Sequence, residues 1–341
     1  MKNYIIEPVS PEGVFDKAEL FDFFTKYLLE DYYLRKTNLL GSACKEDFFI
    51  RKIERKCRGC MCRVWTQRNE QGDLISLWGM SKRFELSRVY RKNMYMLDFF
   101  YTVAKEDKED VIYAVCECMN AYTEETRIDY LRCKINMLDH DTIYYLSRNG
   151  FLYYASSEKF FFKYENYRKK DVGELPYTVV AYQNEDLDAC LDLLGLHSLN
   201  EKYYNLTFHK ELTLELFREW FERQTHAKNT KIFVCKKKDD AQVVGVTMFS
   251  EIDIEGKKVL TWDLVVVSNT DRGQNLSLLL FEYMLGMCQY DIEASVMTDN
   301  IIIHNKLRMI GFEEVMSFVF MEKRYDGYLL PQMGVSFSRS E

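Results

Sequence analysis

The sequence predicts an α/β (α+β) protein made of two similar halves, each with a mixed sheet flanked by helices. Three observations predict this. The chain has 341 residues, and single hydrophobic cores stop growing near roughly 250–300 residues, so about two domains are expected. Strand and helix signals alternate through the second half. A strand–helix–Gly-Phe–strand unit occurs once in each half.

Composition narrows the class. Hydrophobic residues make up 47% and charged residues 29%, as in ordinary globular chains. With only 15 glycines and 4 prolines, collagen-like and low-complexity sequences are excluded. The net charge of −7 argues against a basic face for nucleic acid. No apolar run reaches the roughly 18 residues of a membrane span. The opening Met1-Lys2-Asn3-Tyr4-Ile5-Ile6-Glu7-Pro8 lacks the apolar core of a signal peptide. The expectation is a soluble cytoplasmic protein without nucleic-acid partners, of undetermined oligomeric state. Ten cysteines then read as reduced thiols. Cys57, Cys60 and Cys62, with Cys44 upstream, lack the second ligand pair that a structural zinc site uses. They are read as free thiols with no metal, and zinc or redox chemistry is the alternative.

The elements follow in order. Residues 73–78 and 94–103 alternate as strands, and 108–122 reads as a helix. Strand 131–136 leads to a helix that ends at Gly150-Phe151, and a last strand contains Phe160-Phe161-Phe162. The charged stretch 169–174 and Pro176 place a boundary near 165–176, dividing the chain into 1–170 and 171–341. Strand 177–182 is followed by a helix near 186–194, capped by Asn184 or Asp186. An amphipathic helix covers 212–226. Strands at 231–235, 243–251 and 258–267 precede a helix from about 273 to 289. Strand 292–298, helix 300–310, Gly311-Phe312 and a strand to about 323 close the chain. Aligning the two Gly-Phe pairs sets 131–136 on 292–297 and Asp139 on Asn300.

The segment from Thr261 to Ser277 carries the chemistry. A buried strand runs through a short polar turn straight into a helix. The turn presents Arg272, Gly273 and successive backbone amides at the helix start. Unpaired N–H groups and the positive end of a helix dipole attract anions. Gly273 lets a phosphate approach the backbone.

Strand, Arg-Gly turn, helix, strand and then Asn300…Leu307…Gly311-Phe312 together resemble the GNAT superfamily of acyl-CoA-dependent N-acyltransferases. The resemblance covers about 177–323. The family turn is Gln/Arg-x-x-Gly-x-Gly/Ala. Arg272 matches its first position, Asn275 replaces the middle glycine, and Ser277 replaces the last small residue. Asn tolerates left-handed backbone better than most side chains. The full length resembles the tandem branch of dTDP-fucosamine acetyltransferase type. The fold implied is therefore tandem GNAT-like domains with a degenerate N-terminal copy. Acetyl-CoA is the implied cofactor, used as a co-substrate. Leu264, Val265, Val266 and Val267 would align its thioester and pantetheine arm. Arg272, Gly273, Gln274, Asn275, Leu276 and Ser277 would hold the pyrophosphate, and Asn300 would complete the cofactor site.

In the first half the corresponding turn reads Ala104-Lys105-Glu106-Asp107-Lys108-Glu109-Asp110. Four carboxylates there satisfy the helix dipole and repel a second anion. This half is read as structural, walling the acceptor site.

Acyl transfer to an amine needs a base, a donor to the developing oxyanion and a means of stabilising the thiolate. Asp263 is the candidate base. Many relatives carry a Tyr seven residues after the Asn, where this chain has Leu307. His304, one turn earlier, is the candidate acid. Lys202, Tyr203, Tyr204 and His209 are candidate acceptor contacts, and Arg51, Lys52, Arg55, Lys56 and Arg58 form a basic helix face. The leading reading is an N-acetyltransferase whose acceptor is a small-molecule primary amine, with a nucleotide-linked amino sugar as the candidate. A peptide, amino-acid or cell-wall-precursor acceptor is the second reading. A non-catalytic ligand-binding protein, suggested by Asn275, Ser277 and Leu307, is the third.

Overall fold

Every strand of the computed structural model belongs to one continuous sheet. The structure describes residues 4–9, 15–27, 36–37, 39, 45–58, 62–103, 107–200 and 210–325. The N-terminal half supplies β1 (Ile5–Pro8), α1 (Lys17–Lys26), α2 (Lys45–Arg58), β2 (Cys62–Arg68), β3 (Leu74–Lys82) and α3 (Phe84–Tyr90). It continues with β4 (Met94–Thr102), α4 (Lys108–Thr126), β5 (Tyr130–Asn136), α5 (His140–Arg148) and β6 (Leu152–Phe162). The C-terminal half supplies β7 (Tyr177–Ala181), α6 (Leu187–Asn200), α7 (Lys210–Thr225), β8 (Thr230–Lys237), β9 (Val243–Ile254) and β10 (Lys257–Val267). Then come α8 (Leu276–Met287), β11 (Asp291–Met297), α9 (Ile301–Ile310) and β12 (Glu313–Arg324).

The sheet runs β1-β2-β3-β4-β5-β12-β6-β11-β10-β9-β8-β7. The last strand of each half has therefore crossed into the other. β12 lies antiparallel against β5, with Phe320 opposite Lys134. β6 lies antiparallel against β11, with Ala294 opposite Phe160. The two exchanged strands also pair with each other. Neither half completes its sheet without a strand from the other, so each core contains residues distant in sequence.

Alternation along the strands decides which face each helix covers. On one face, α8 and α9 bury Leu276, Leu280, Phe281 and Leu307 against Trp262, Ile292, Phe160 and Phe312. On the same face of the other half, Ile112, Val115 and Met119 of α4 and Leu146 of α5 pack on Leu131, Cys133, Val319 and Met321. The opposite face is covered in two places. Leu20, Phe23, Phe49 and Ile53 of α1 and α2 pack over Val64 and Leu77. Cys190 and Leu193 of α6 and Phe221 of α7 pack over Val234 and Val246. Each such buried apolar side chain contributes on the order of 1.5–3 kcal/mol. Between these two helical layers, the central strands carry Lys134, Phe318, Phe320, Lys159 and Glu293 on the same face.

Most elements of the second half lie within a few residues of their expected positions, but α6, expected to end near 194, runs to Asn200 and takes in the start of the expected acceptor stretch. A second difference bears on the site. The helix expected from about 273 begins at Leu276, after a short 3-10 turn at Asn269–Asp271. Gly273 (φ 89°) and Asn275 (φ 57°) both take left-handed backbone, which an α-helix cannot contain. β1, β2, α1 and α3 lacked sequence expectations, being short or without clean periodicity. Among the described residues no helix is long and apolar enough to cross a membrane.

Candidate acyl-donor cleft and its surroundings

β10 runs parallel to β11 only as far as Trp262 opposite Ala294. Its pairing with β9 skips a residue between Trp262 and Leu264, so Asp263 sits in a β-bulge. The bulge is held from within. The Trp262 indole N–H donates to the Leu264 carbonyl (3.0 Å) and to Thr247 Oγ1 (2.8 Å), and Thr247 Oγ1 donates to the same carbonyl (2.9 Å). Beyond the bulge β10 and β11 diverge. The gap is a cleft of about 110 Å³ lined by residues 262–265 of β10, residues 294–296 of β11, and Asn300, Ile303 and Leu307 of α9. At about 30 Å³ per water, it has room for the few heavy atoms of an acyl thioester. The backbone groups of β10 that face β11 past Trp262 have no ladder partner there.

Asp263 stands at the mouth of this cleft. The residue is exposed on its outer side, while the protein packed around the rest of the carboxyl disfavours the charge. Burial pushes the carboxyl up to about 6, Ser250 hydrogen bonds oppose the shift, and the Glu293 charge adds to it. Glu293 is itself paired with Lys159 at 2.8 Å.

The turn after β10 is anchored on the side away from the cleft. The buried Asp271 carboxylate accepts from Tyr177 Oη (2.9 Å) and Thr270 Oγ1 (2.7 Å). Burial works to raise its pKa, but these bonds and Lys237 outweigh it and hold the group low. The turn itself is open: a side-chain atom added at Gly273 would meet nothing. Asn275 caps α8 in the left-handed conformation and makes no side-chain hydrogen bond to the helix start. A second cation converges on this point. Lys306 of α9 donates to Ser277 Oγ at 2.7 Å. Burial lowers its pKa, and the nearby Arg272 charge lowers it further. Arg272 and Lys306, together beside uncapped helix amides, fit a diphosphate. Lys306 was not anticipated. Its one sequence signal is helical spacing, three residues beyond the cleft-lining Ile303.

The structure brings Asp263, Leu264, Val265 and Asn300 together at the cleft, with Leu307 lining its wall. Asn300 also caps α9, its side chain accepting from the Ile303 N–H at 3.3 Å. Val266 is buried against the opposite helical layer, and Val267 packs toward α8. Arg272, Gly273, Gln274, Asn275, Leu276 and Ser277 gather at the α8 start. His304 is elsewhere. Its ring is buried between α9 and β6, edge-on to Phe160. Nε2 lies 2.9 Å from the Met297 carbonyl, and Nδ1 lies 2.7 Å from Glu158. The ring thus ties α9 to the exchanged strand β6 and does not line the cleft. Lys202, Tyr203, Tyr204 and His209 lie outside the described residues, as do Cys44 and Cys60. Cys57 and Cys62 are buried thiols, pushed up to about 11 and about 12 chiefly by that burial. Among the described residues no group of His, Cys, Asp and Glu could hold a metal ion.

The matching place in the first half is closed. β4 carries the same bulge, at Asp98, but Lys56 (2.9 Å) and Arg83 (3.1 Å) both hold that carboxylate. At the start of α4, Glu109 and Asp110 occupy the first turn. Lys108 bridges to Asp139 at 2.5 Å, the residue that corresponds to Asn300.

No protein-family model and no curated protein matches the sequence. Solved structures do match in fold. A GCN5-related N-acetyltransferase from Sphaerobacter thermophilus is 12% identical with a TM-score of 0.58, covering 94% of this chain and 95% of its own. A tandem GNAT protein from the clavulanic acid biosynthesis pathway is 11% identical with a TM-score of 0.56, over 94% and 98%. A glucosamine N-acetyltransferase region of a fungal multi-domain GH3 beta-N-acetylglucosaminidase is 10% identical with a TM-score of 0.60, over 94% of this chain and 38% of that one. At such identities the likeness is one of fold. The chain has the mixed α/β architecture of GNAT structures, a tandem one among them.

Proposed function

We propose that this chain is a cytoplasmic acyl-CoA-dependent N-acyltransferase that moves an acetyl group to the primary amine of a small molecule. The observation that carries the reading is the divergence of β10 and β11 at the Asp263 bulge, continuous with an uncapped helix start flanked by Arg272 and Lys306. The residues present fit coenzyme A. Along Leu264–Val267 the backbone groups that face β11 have no ladder partner and would meet the pantetheine arm, and the 272–277 turn with Lys306 offers amides and cations to the pyrophosphate. When bound, acetyl-CoA supplies the activated acyl group.

The chain's own residues do the rest. An acceptor amine arrives mostly protonated near neutral pH, because free amines titrate well above 7. Asp263, ionised above about 6, takes that proton at the cleft mouth. The cleft walls hold amine and acyl carbon together, the largest single saving in such a reaction. A β10 N–H facing β11 beside the bulge, without a ladder partner, would donate to the acyl carbonyl oxygen. Leu307 supplies no proton to the departing thiolate, whose ordinary pKa of about 8.5 lets it leave unaided. The closed, acidic counterpart at Asp98, Lys108 and Asp139 supports one donor site per chain, in the second half. A nucleotide-linked amino sugar is the acceptor class we put first.

Calorimetric titration with acetyl-CoA and with free coenzyme A tests this reading. One micromolar site per chain, lost in Arg272→Glu, is expected. No binding, or binding that Arg272→Glu leaves unchanged, would remove the assignment.

A further inference from the structure

Where the two halves exchange strands, three residues fall in one row across the sheet. Asn136 of β5 is opposite Phe318 of β12, and Phe318 is opposite Ser157 of β6. Directly paired residues share a face, and this is the face that Asp263 shares with α6 and α7. Lys134, one row along, leans onto the same spot: its ammonium stands 4.0 Å from the centre of the Phe318 ring.

Among the described residues all three polar groups are donors without acceptors. No carboxylate lies within ion-pair distance of Lys134 among the described residues, and its neighbour Lys159 is taken by Glu293. Asn136 Oδ1 accepts from the Leu138 N–H at 3.0 Å, which fixes the amide and leaves Nδ2 pointing away. Asn136 Nδ2 meets no hydrogen-bond partner. Nor does Ser157 Oγ, although the Ser157 side chain is only 4% exposed. Buried polar groups rarely go unpaired, because each one left so keeps its full desolvation penalty. Three such donors around one ring call for a shared acceptor.

We propose that Lys134, Asn136 and Ser157 form an anion subsite for the acceptor, so that the amine substrate also carries a carboxylate or a phosphate. This rests on the acyl-transfer reading for the word acceptor, but the anion site stands on its own geometry. β6 lies two strand spacings, about 10 Å, from β10. Across the sheet that spacing is within the span of a small molecule, and the Lys159–Glu293 pair lies on the same face between the two strands. Burial pulls Lys134 down to about 8, and the charge of Lys159 adds to that. A bound anion reverses this by favouring the ammonium. The site also gives the first half a role it could not have alone. Lys134, Asn136 and Ser157 come from that half, whereas the cleft belongs to the second. In the internal repeat Lys134 corresponds to Ser295 at the cleft edge, so the cation is not a feature of both halves.

The test separates the two readings. Inorganic phosphate and succinate are each titrated onto the full chain without acetyl-CoA, with binding followed by ligand NMR line broadening. Saturable binding of at least one anion is expected. It should weaken about tenfold in Lys134→Met, the scale of one charge-assisted bond, and a few-fold in Ser157→Ala, while Lys134→Arg retains it. Phosphate-selective binding identifies a phosphate-bearing acceptor, and succinate-selective binding a carboxylate. No saturable binding of either anion, or equal binding by wild type and Lys134→Met, overturns the proposal. Acetylation of 5-aminopentanoate and of its neutral amide gives the second arm, with lower KM for the carboxylate expected and that preference erased in Lys134→Met. Anion binding through Lys134 without coenzyme A binding would sink the acyl-transfer reading and leave the subsite. Coenzyme A binding with indifference to both anions would do the reverse.

Discussion

Asp98 and Asp263 occupy the same bulge in the two halves of the sheet, yet Asp98 is clamped by Lys56 and Arg83 while Asp263 faces an open cleft and pairs with no cation among the described residues. One repeated position is ion-paired in one half, and in the other it is the group we propose as the base. The difference comes from the neighbours. Lys56 is on α2 and Arg83 precedes α3, and α3 grows from a β3–β4 connection that in the second half is only the turn at Glu255 and Gly256.

Asp263→Asn should lower the acetylation rate by about 100-fold or more. In the wild type, kcat/KM should rise with pH through about 6, and the substitution should remove that limb. Stability should move the opposite way. The folded-state pKa is raised, so the folded chain binds the proton more tightly and wild-type stability falls as pH climbs from about 4 to about 6. Urea titrations of both proteins across that range check the sign, and a pH profile that survives the substitution would exclude Asp263 as the base.

Asp98→Asn should behave differently. It leaves two partly exposed cations without their shared carboxylate, at a cost of about 1–3 kcal/mol. Coenzyme A affinity should not change. Denaturant unfolding and calorimetry measure the two effects separately, and a large loss of coenzyme A affinity would mean the first half is not a closed site.

Lys306→Met should weaken coenzyme A binding by about tenfold and flatten its salt dependence, since one of two phosphate-facing cations is gone. Removal of the 3′-phosphate from the ligand should leave this loss in place if Lys306 serves the pyrophosphate. Equal affinity in Lys306→Met and wild type at low salt would rule out that role.

Met321→Ala should destabilise the protein by about 2–4 kcal/mol, as a fully buried residue in the first half's core. Because Met321 lies on the last strand of the second half, both halves should lose stability together. Trp65 and Trp78 report on one half and Trp262 on the other. Chains keeping only one set of these tryptophans should unfold at the same urea concentration, and separate midpoints would contradict the exchange.

His304→Gln should cost about 1–3 kcal/mol, because it leaves Glu158 and the Met297 carbonyl without the imidazole. The pH dependence of acetylation should keep its shape. A lost alkaline limb would instead return His304 to the chemistry.

Much of the second half was legible in the sequence. Alternating strands from 177 to 267, the Arg272-Gly273 turn and the Asn300-to-Gly311 spacing are all local signals, set by side-chain period and by the few residues that accept left-handed backbone. The internal repeat was readable for the same reason, since Gly150-Phe151 and Gly311-Phe312 end matching helices. What only the tertiary structure decided was which strand edges meet. Backbone ladders offer the same bonds to any strand, and partner and register are settled by burial of whole faces. That choice put β12 beside β5 and β6 beside β11. It also brought Lys306 to Ser277, turned His304 toward Glu158, and gathered Lys134, Asn136 and Ser157 around Phe318. No local stretch of sequence contains those neighbours.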